Sequence, residues 1–392
     1  MNVRLIIQKS FVAVVAALAL SSCEWMTEDL SDCPTGLYVN FVYDYNIQRA
    51  DMFKDHVGGL TLYVYDELDF LVAQRTVSGS ELSRYGYNIH FTEDELAPNH
   101  SYRLVAVAMQ KDWGMALGTP GAKYRKPDLA SGSDRKDLTI KLDRVKTKAA
   151  NGAGSYYEVS AEAPLDTMWH TLTTLNTEKE YLPAKTEYHQ KSNGKIDTNG
   201  VETVDLVRGI PTYATVSLIR DTKHLNLSLR EIDNPEQVSH EKYDVFILDD
   251  NADVDCDNNV IAPSDSVIYR PYAQWTSVVE SDGKTTADYS AHYDLMFNRL
   301  RYNATTQKNA ALCIRKRDTG EEVAIFNLPY ILCQGRMAYE INNYQPQEYL
   351  DREYDYRLEL WLKGERWDEG AYLLLCVHDL PWVLRMQYVS LQ

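Results

Sequence analysis

Short runs with an apolar residue at every second position recur along almost the whole of this 392-residue chain. In Leu37–Tyr45 (LYVNFVYDY), the side chains of Leu37, Val39, Phe41 and Tyr43 share one face of an extended strand. A period of two is the signature of a half-buried β-strand, because successive side chains point to opposite faces. Similar runs follow at Thr61–Tyr65, Phe70–Ala73, Tyr102–Ala108 and Leu138–Leu142. Asp51–Val57 reads as one or two helical turns between the first two runs. Gly and Pro separate most of the runs and no long helical period appears, so a first all-β unit is expected.

From about Lys146 to Gly200 the pattern decays into Ser, Thr, Asn, Gly and Lys. This stretch reads as a long loop, one or two edge strands and a connection between domains. A second alternating series starts at Glu202–Arg208, Thr212–Arg220, Leu225–Ile232 and Lys242–Leu248. It continues through His292–Leu300, Ala311–Lys316, Glu322–Asn327, Tyr356–Leu362, Ala371–Val377 and Trp382–Leu391. Strands at this spacing suggest a second sandwich or barrel. The expected division is therefore 36–190 and 200–392, both all-β. The closing segment is alternating and terminal, which makes Trp382, Leu384, Met386 and Tyr388 a candidate strand-pairing segment.

The amino terminus carries a different signal. Arg4 and Lys9 precede the apolar run Phe11–Leu20, and Leu20-Ser21-Ser22-Cys23 closes it. A run of about ten apolar residues is too short to span a hydrocarbon layer of roughly 30 Å, and it matches the core of a signal peptide. Small residues before a cysteine are what a lipoprotein signal peptidase reads. Residues 1–22 are then the signal, cleavage falls between Ser22 and Cys23, and Cys23 carries the acyl chains. Each buried methylene contributes about 0.8 kcal/mol, so two or three chains hold a protein on a membrane almost permanently. Residues 23–35 are short and acidic and read as a tether.

The formal net charge is −17 and falls to −19 when Arg4 and Lys9 leave with the signal. Such acidity argues against nucleic-acid partners and against adhesion to anionic lipid through basic patches. Tyr is used 28 times against 8 for Phe, which suits half-buried strands and binding surfaces. Beyond Cys23, the chain has Cys33, Cys256, Cys313, Cys333 and Cys376 with no CxxC pair, leaving zinc or thiol-redox chemistry almost unsupported. Cys313 and Cys376 fall inside strand-like runs, where a reduced core thiol is expected.

No GxSxG, GxxxxGK[ST] or GxGxxG is present, and His240-Glu241 lacks the second histidine of a zinc helix. Neither catalysis nor a cofactor is expected. In the acidic stretch Asp249–Asn259, the residues Asp249, Asn251, Asp253 and Asp255 could offer oxygens to calcium. An EF-hand loop fails, because Val254 and Val260 stand where Gly and Glu are needed. A solvated turn rich in Asp and Asn is the plainer account.

After the lipobox, Cys33-Pro34-Thr35-Gly36-Leu37-Tyr38-Val39-Asn40-Phe41 leads into Tyr43-Asp44-Tyr45-Asn46 and Ala50-Asp51-Met52-Phe53. Val57 and Leu62-Tyr63-Val64-Tyr65-Asp66-Glu67 follow. In this order the segments resemble the opening of the FimB/Mfa2 family of fimbrial anchor lipoproteins from Bacteroidota. Thr215–Arg220, Tyr243–Ile247, Asp249–Asn258 and Tyr269-Arg270-Pro271-Tyr272 are similar to later parts of that family, while Thr167–Leu172 departs from it. The resemblance implies two tandem transthyretin-like β-sandwich domains on an outer-membrane lipid anchor at the fimbrial base. It also implies fimbrillin subunits as partners and Glu24, Glu28, Asp29 and Asp32 as a surface-export signal. A minor tip subunit and a surface glycan- or host-binding adhesin stay open as alternatives. For the adhesin, Trp275, Trp361, Trp367 and Trp382 are the candidate sugar platform.

Replacing Cys23 by Ala should release the protein from membranes and shed any fibre it holds. Retention of the variant in the membrane fraction would contradict the lipid reading.

Overall fold

The computed structural model describes residues 35–148, 155–171, 194–196, 202–261, 266–279, 288–303, 309–336, 338–362, 372–377 and 380–384. The first strands are β1 (Gly36–Val42), β2 (Gly59–Tyr65), β3 (Leu71–Ser78), β4 (Ile89–Phe91) and β5 (His100–Met109). The chain then forms β6 (Tyr124–Arg125), β7 (Ile140–Leu142), β8 (Val145–Lys148), β9 (Ser155–Glu158) and β10 (Met168–Thr171). Next come β11 (Gly194–Ile196), β12 (Glu202–Leu206), β13 (Pro211–Arg220) and β14 (Lys223–Glu231). They are followed by β15 (Tyr243–Asp249), β16 (Asp253–Val254), β17 (Val267–Tyr269), β18 (Ala273–Val279) and β19 (Asp288–Phe297). The last five are β20 (Ala311–Lys316), β21 (Glu322–Asn327), β22 (Asp355–Leu362), β23 (Tyr372–Val377) and β24 (Leu380–Leu384). Five short helices interrupt them: α1 (Phe53–His56), α2 (Trp113–Leu117), α3 (Leu328–Gln334), α4 (Ala338–Asn343) and α5 (Pro346–Arg352). The all-β expectation is met.

Four sheets organise these strands. A nine-stranded sheet runs β11-β12-β5-β10-β13-β1-β4, with β2 paired to β5 and to β3. A six-stranded sheet runs β18-β19-β14-β22-β23-β24, another runs β21-β20-β15-β17-β9-β8, and β16-β7-β6 form a small third layer. Pairing crosses the expected division at residues 190–200. Strands β12 and β13, which follow it, belong with β5, β10 and β1, while β8 and β9, which precede it, join β17.

Burial explains why β2 reads as a nearly continuous apolar run: all seven of its residues are buried. Its Leu60, Leu62 and Val64 enter one core with residues of β1, β5, β12 and β13, and Trp169. Tyr63 and Tyr65 enter a second core on the opposite face, as do Val105, Val107 and Met109 of β5. A strand covered on both sides loses the polar half of its alternation. The second core continues through β7 into β14, β15, β19 and β22, so one apolar body reaches from the nine-stranded sheet to the six-stranded ones. In β14, by contrast, buried and half-buried residues alternate along the strand.

Gly36 opens β1 at φ +87°, and a Cβ there would lie 2.2 Å from the Phe91 carbonyl oxygen. Only glycine lets β4 approach so closely. The helices α3 to α5 escaped the sequence reading because each has six or seven residues, too few for a helical period to emerge. Their local signals were Asn327, whose side chain caps Tyr330 N at 3.1 Å, and Pro329 and Pro346 in the first turns.

Where β13 hands the chain to β14, charges are buried. Asp221 and Lys223 are fully buried. Asn258 Nδ2 donates to Asp221 Oδ1 at 2.8 Å, and Asp221 N donates to Met168 O at 2.9 Å. Lys223 Nζ donates to the carbonyls of Asp351 and Glu353, each at 2.8 Å. The Arg299 guanidinium grips the Asp351 carboxylate at 2.7 and 2.9 Å and donates to Asn258 O. Burial pushes the Asp221 carboxyl up to about 7 and the Lys223 ammonium down to about 7.

Replacing Leu227, fully buried in β14, by Ala should cost about 2–5 kcal/mol, while Leu68→Ala, at a residue 75% exposed, should stay within about 0.5 kcal/mol. Equal urea midpoints for the two variants would contradict this core. The raised Asp221 carboxyl gives a second test. Its folded form holds a proton that the unfolded chain releases near pH 3.8. Its contribution to stability is therefore complete below that value and is lost as pH rises towards about 7. Asp221→Asn keeps the acceptor for Asn258 and removes the titration. The variant should lose less stability than the parent between pH 4 and 7, and identical slopes would refute the assignment.

Candidate functional site

Cys23 and Ser22 lie outside the described residues, as do Met386, Tyr388 and Trp367. Trp382 and Leu384 lie on β24, the last strand of its six-stranded sheet. That strand pairs with β23 from Val377↔Leu380 to Leu373↔Leu384. Among the described residues nothing pairs with its other side. The candidate pairing segment is thus an edge strand, with Pro381 at its second position, where a missing N–H is tolerated.

The opposite edge of the same sheet is β18, a strand that the sequence reading passed over. Its sequence AQWTSVV carries no charge but is rich in Thr, Val and Trp, and this composition was the available signal. It pairs with β19 through seven consecutive residues, from Ala273↔Asp294 to Val279↔Asp288, without a bulge. Trp275 is 40% exposed and Val278 50%. His240 N donates to Thr276 Oγ1 at 3.0 Å and holds the strand's other face against the loop before β15.

The outward face of this sheet gathers polar and aromatic groups. Trp275 stacks on His292 with centroids 5.0 Å apart and planes 19° apart. The His292 ring sits between Ser277 Oγ at 2.7 Å and Ser228 Oγ at 2.9 Å, and burial lowers its pKa. Trp361, on β22, donates from Nε1 to Glu359, which also pairs with Arg230 at 2.6 Å. A serine beside a histidine can suggest a nucleophile, but the second ring nitrogen meets another serine and not an orienting carboxylate. Of the four tryptophans expected to form a platform, two thus share a face, Trp275 and Trp361.

The acidic stretch does not assemble a ligand set. Asn251 is fully buried, donates to the carbonyls of Asn298 and Arg299 and accepts from Tyr269 OH at 2.7 Å. Asp253 pairs with Arg144 at 2.6 and 2.8 Å. Asp255 accepts from the main-chain N of Asp257 and Asn259, each at 2.9 Å, and Asp249 accepts from Asp250 N. These are turn and ion-pair roles. Among the described residues no group of three or more His, Cys, Asp or Glu could hold a metal. The cations of a basic cleft at Arg270, Arg315, Lys316 and Arg317 are likewise engaged from within, Arg317 by the Tyr243 carbonyl. Arg270 bonds Asp244 at 2.7 Å and Lys316 meets Glu321 at 3.1 Å, while Arg315 lies over the Phe246 ring.

Cys256, Cys313 and Cys333 are buried free thiols. Burial pushes the first and third up to about 12 and Cys313 up to about 11, so they are inert near neutral pH. Among the described residues no helix is long and apolar enough to cross a membrane.

The fold is shared with solved structures from the Bacteroidota. A proposed adhesin from Bacteroides thetaiotaomicron is 24% identical, with a TM-score of 0.64 over 92% of this chain and 100% of its own. A proposed polysaccharide-binding protein from the same species is 23% identical, with a TM-score of 0.61 over 90% of this chain and 99% of its own. The fimbrial anchor protein Mfa2 from Porphyromonas gingivalis is 14% identical, with a TM-score of 0.53 over 91% of this chain and 100% of its own. No curated protein is similar enough in sequence to match. The profile of one family, described as fimbrillin-A associated anchor proteins Mfa1 and Mfa2, matches residues 30–380. With its edge strands, its sheets and nearly all its length accounted for, this chain belongs to the Mfa2 family of fimbrial anchor proteins.

Proposed function

We propose that the protein is an outer-membrane lipoprotein that anchors or caps fimbriae at the cell surface by strand-addition contacts with fimbrial subunits. The family match over residues 30–380 carries this reading. Acyl chains on Cys23 supply the hold on the membrane, and the acidic residues after it favour display at the surface. The body is a pair of tandem transthyretin-like sandwiches. The exchange of β8–β9 and β12–β13 between sheets spreads their division over a stretch of chain. Two sheet edges, β18 and β24, support an attachment that needs main-chain hydrogen bonds and no catalytic group.

A second reading, a surface glycan- or host-binding adhesin, draws on Trp275 and Trp361, which share one outward face. Their polar neighbours are already bonded to one another, which leaves few groups for a sugar and favours the anchor.

Removing the protein from cells should shed fibres into the medium and alter their length. Fibres that stay cell-bound at normal length would overturn the anchor reading, and surface-shaved fibres should carry the protein together with its partner subunit.

A further inference from the structure

Every sheet has two ends, and an unprotected end recruits other strands. The described edges of this protein differ in how they are guarded. Strand β3 carries Arg75, is itself bulged at Val72, and has the loop around Leu129–Ser133 bonded along its start. Strand β21 begins with Glu322 and is itself bulged at Val323. Strand β8 is four residues with two lysines, β4 and β11 are three residues each, and β6 and β16 are two. Strand β24 has five residues and contains Pro381.

Strand β18 has none of these devices. Its seven residues carry no charge and no proline, and its register with β19 is unbroken. It also presents Trp275 and Val278 to solvent. A straight, neutral, β-prone edge with exposed aromatic and branched residues is a template for another strand, and natural proteins keep such an edge only where something covers it.

We propose that β18 is the edge to which a fimbrial subunit adds an extended, uncharged segment, continuing the β18-β19-β14-β22 sheet. This rests on the anchor reading and names its contact. Main-chain groups of β18 supply the pairing, and the exposed indole of Trp275 receives a side chain from the added strand. The neutrality of the edge selects a neutral partner segment, because a charge placed against it would find no counter-charge. A second copy of this chain is the poorer occupant, since a formal net charge of −17 on each body opposes self-association.

The test uses the full-length protein and fimbriae sheared from the same cells. Amide exchange should slow at residues 273–279 when the fimbriae are added. The exposed pair Gln274→Lys and Val278→Lys places two charges on the edge without touching a buried residue. This double variant should melt as the parent does and bind the fibres at least tenfold more weakly. Trp382→Lys on β24 should leave binding within twofold. Binding with protection at 380–384 and full affinity in the double variant would overturn the β18 proposal and leave the anchor reading intact. No binding of the parent protein would overturn both. Should the double variant unfold, the exchange map of the parent alone decides.

Discussion

The fold turns on the few residues where β13 becomes β14. There the chain leaves the nine-stranded sheet and enters a six-stranded one, and the Asp221 backbone N–H and the Thr222 hydroxyl are tied to the main chain of Met168 on β10. Ionisable groups at such a depth are costly unless hydrogen bonds hold them. Here the Arg299–Asp351 pair, Asn258 and the two carbonyls around Lys223 draw together the turn after β16, the end of β19 and helix α5. Apolar contacts hold the layers together, but they do not dictate direction. The buried bonds fix how β14 leaves the first sheet, and with it the position of every strand that pairs afterwards.

The shared core follows from that crossing. Strands β2 and β5 present apolar side chains to both faces, so the nine-stranded sheet serves two cores at once. The second core runs on into the later sheets, past the buried charges at the β13–β14 crossing. Neighbouring sheets of the body therefore share walls. This agrees with β8, β9, β12 and β13 pairing across the stretch between residues 190 and 200.

Local pattern was legible where one face meets solvent. The runs at Leu225–Ile232 and Tyr356–Leu362 alternate cleanly and became β14 and β22 with few shifted ends. Pairing was not legible, because β1 finds β13 and β14 finds β22 in parallel across long intervals, and no short window of sequence contains both partners. The helices α3 to α5 were too short to show a period. Of the candidate site, β24 stood out by its alternation, whereas β18 was hidden. Its Gln, Thr and Ser break the apolar count, although their lack of charge is what distinguishes the edge.

The parallel match of Gly36 with Pro211 has a kinetic side. A growing chain cannot complete its first sheet until the segment 211–220 has followed, because β1 has β4 on one side and β13 on the other. Such distant closure slows folding. Until then β1 pairs only with the three residues of β4, and the side of the first core that Ala214, Val216 and Leu218 cover stays open while more than half of the chain is made.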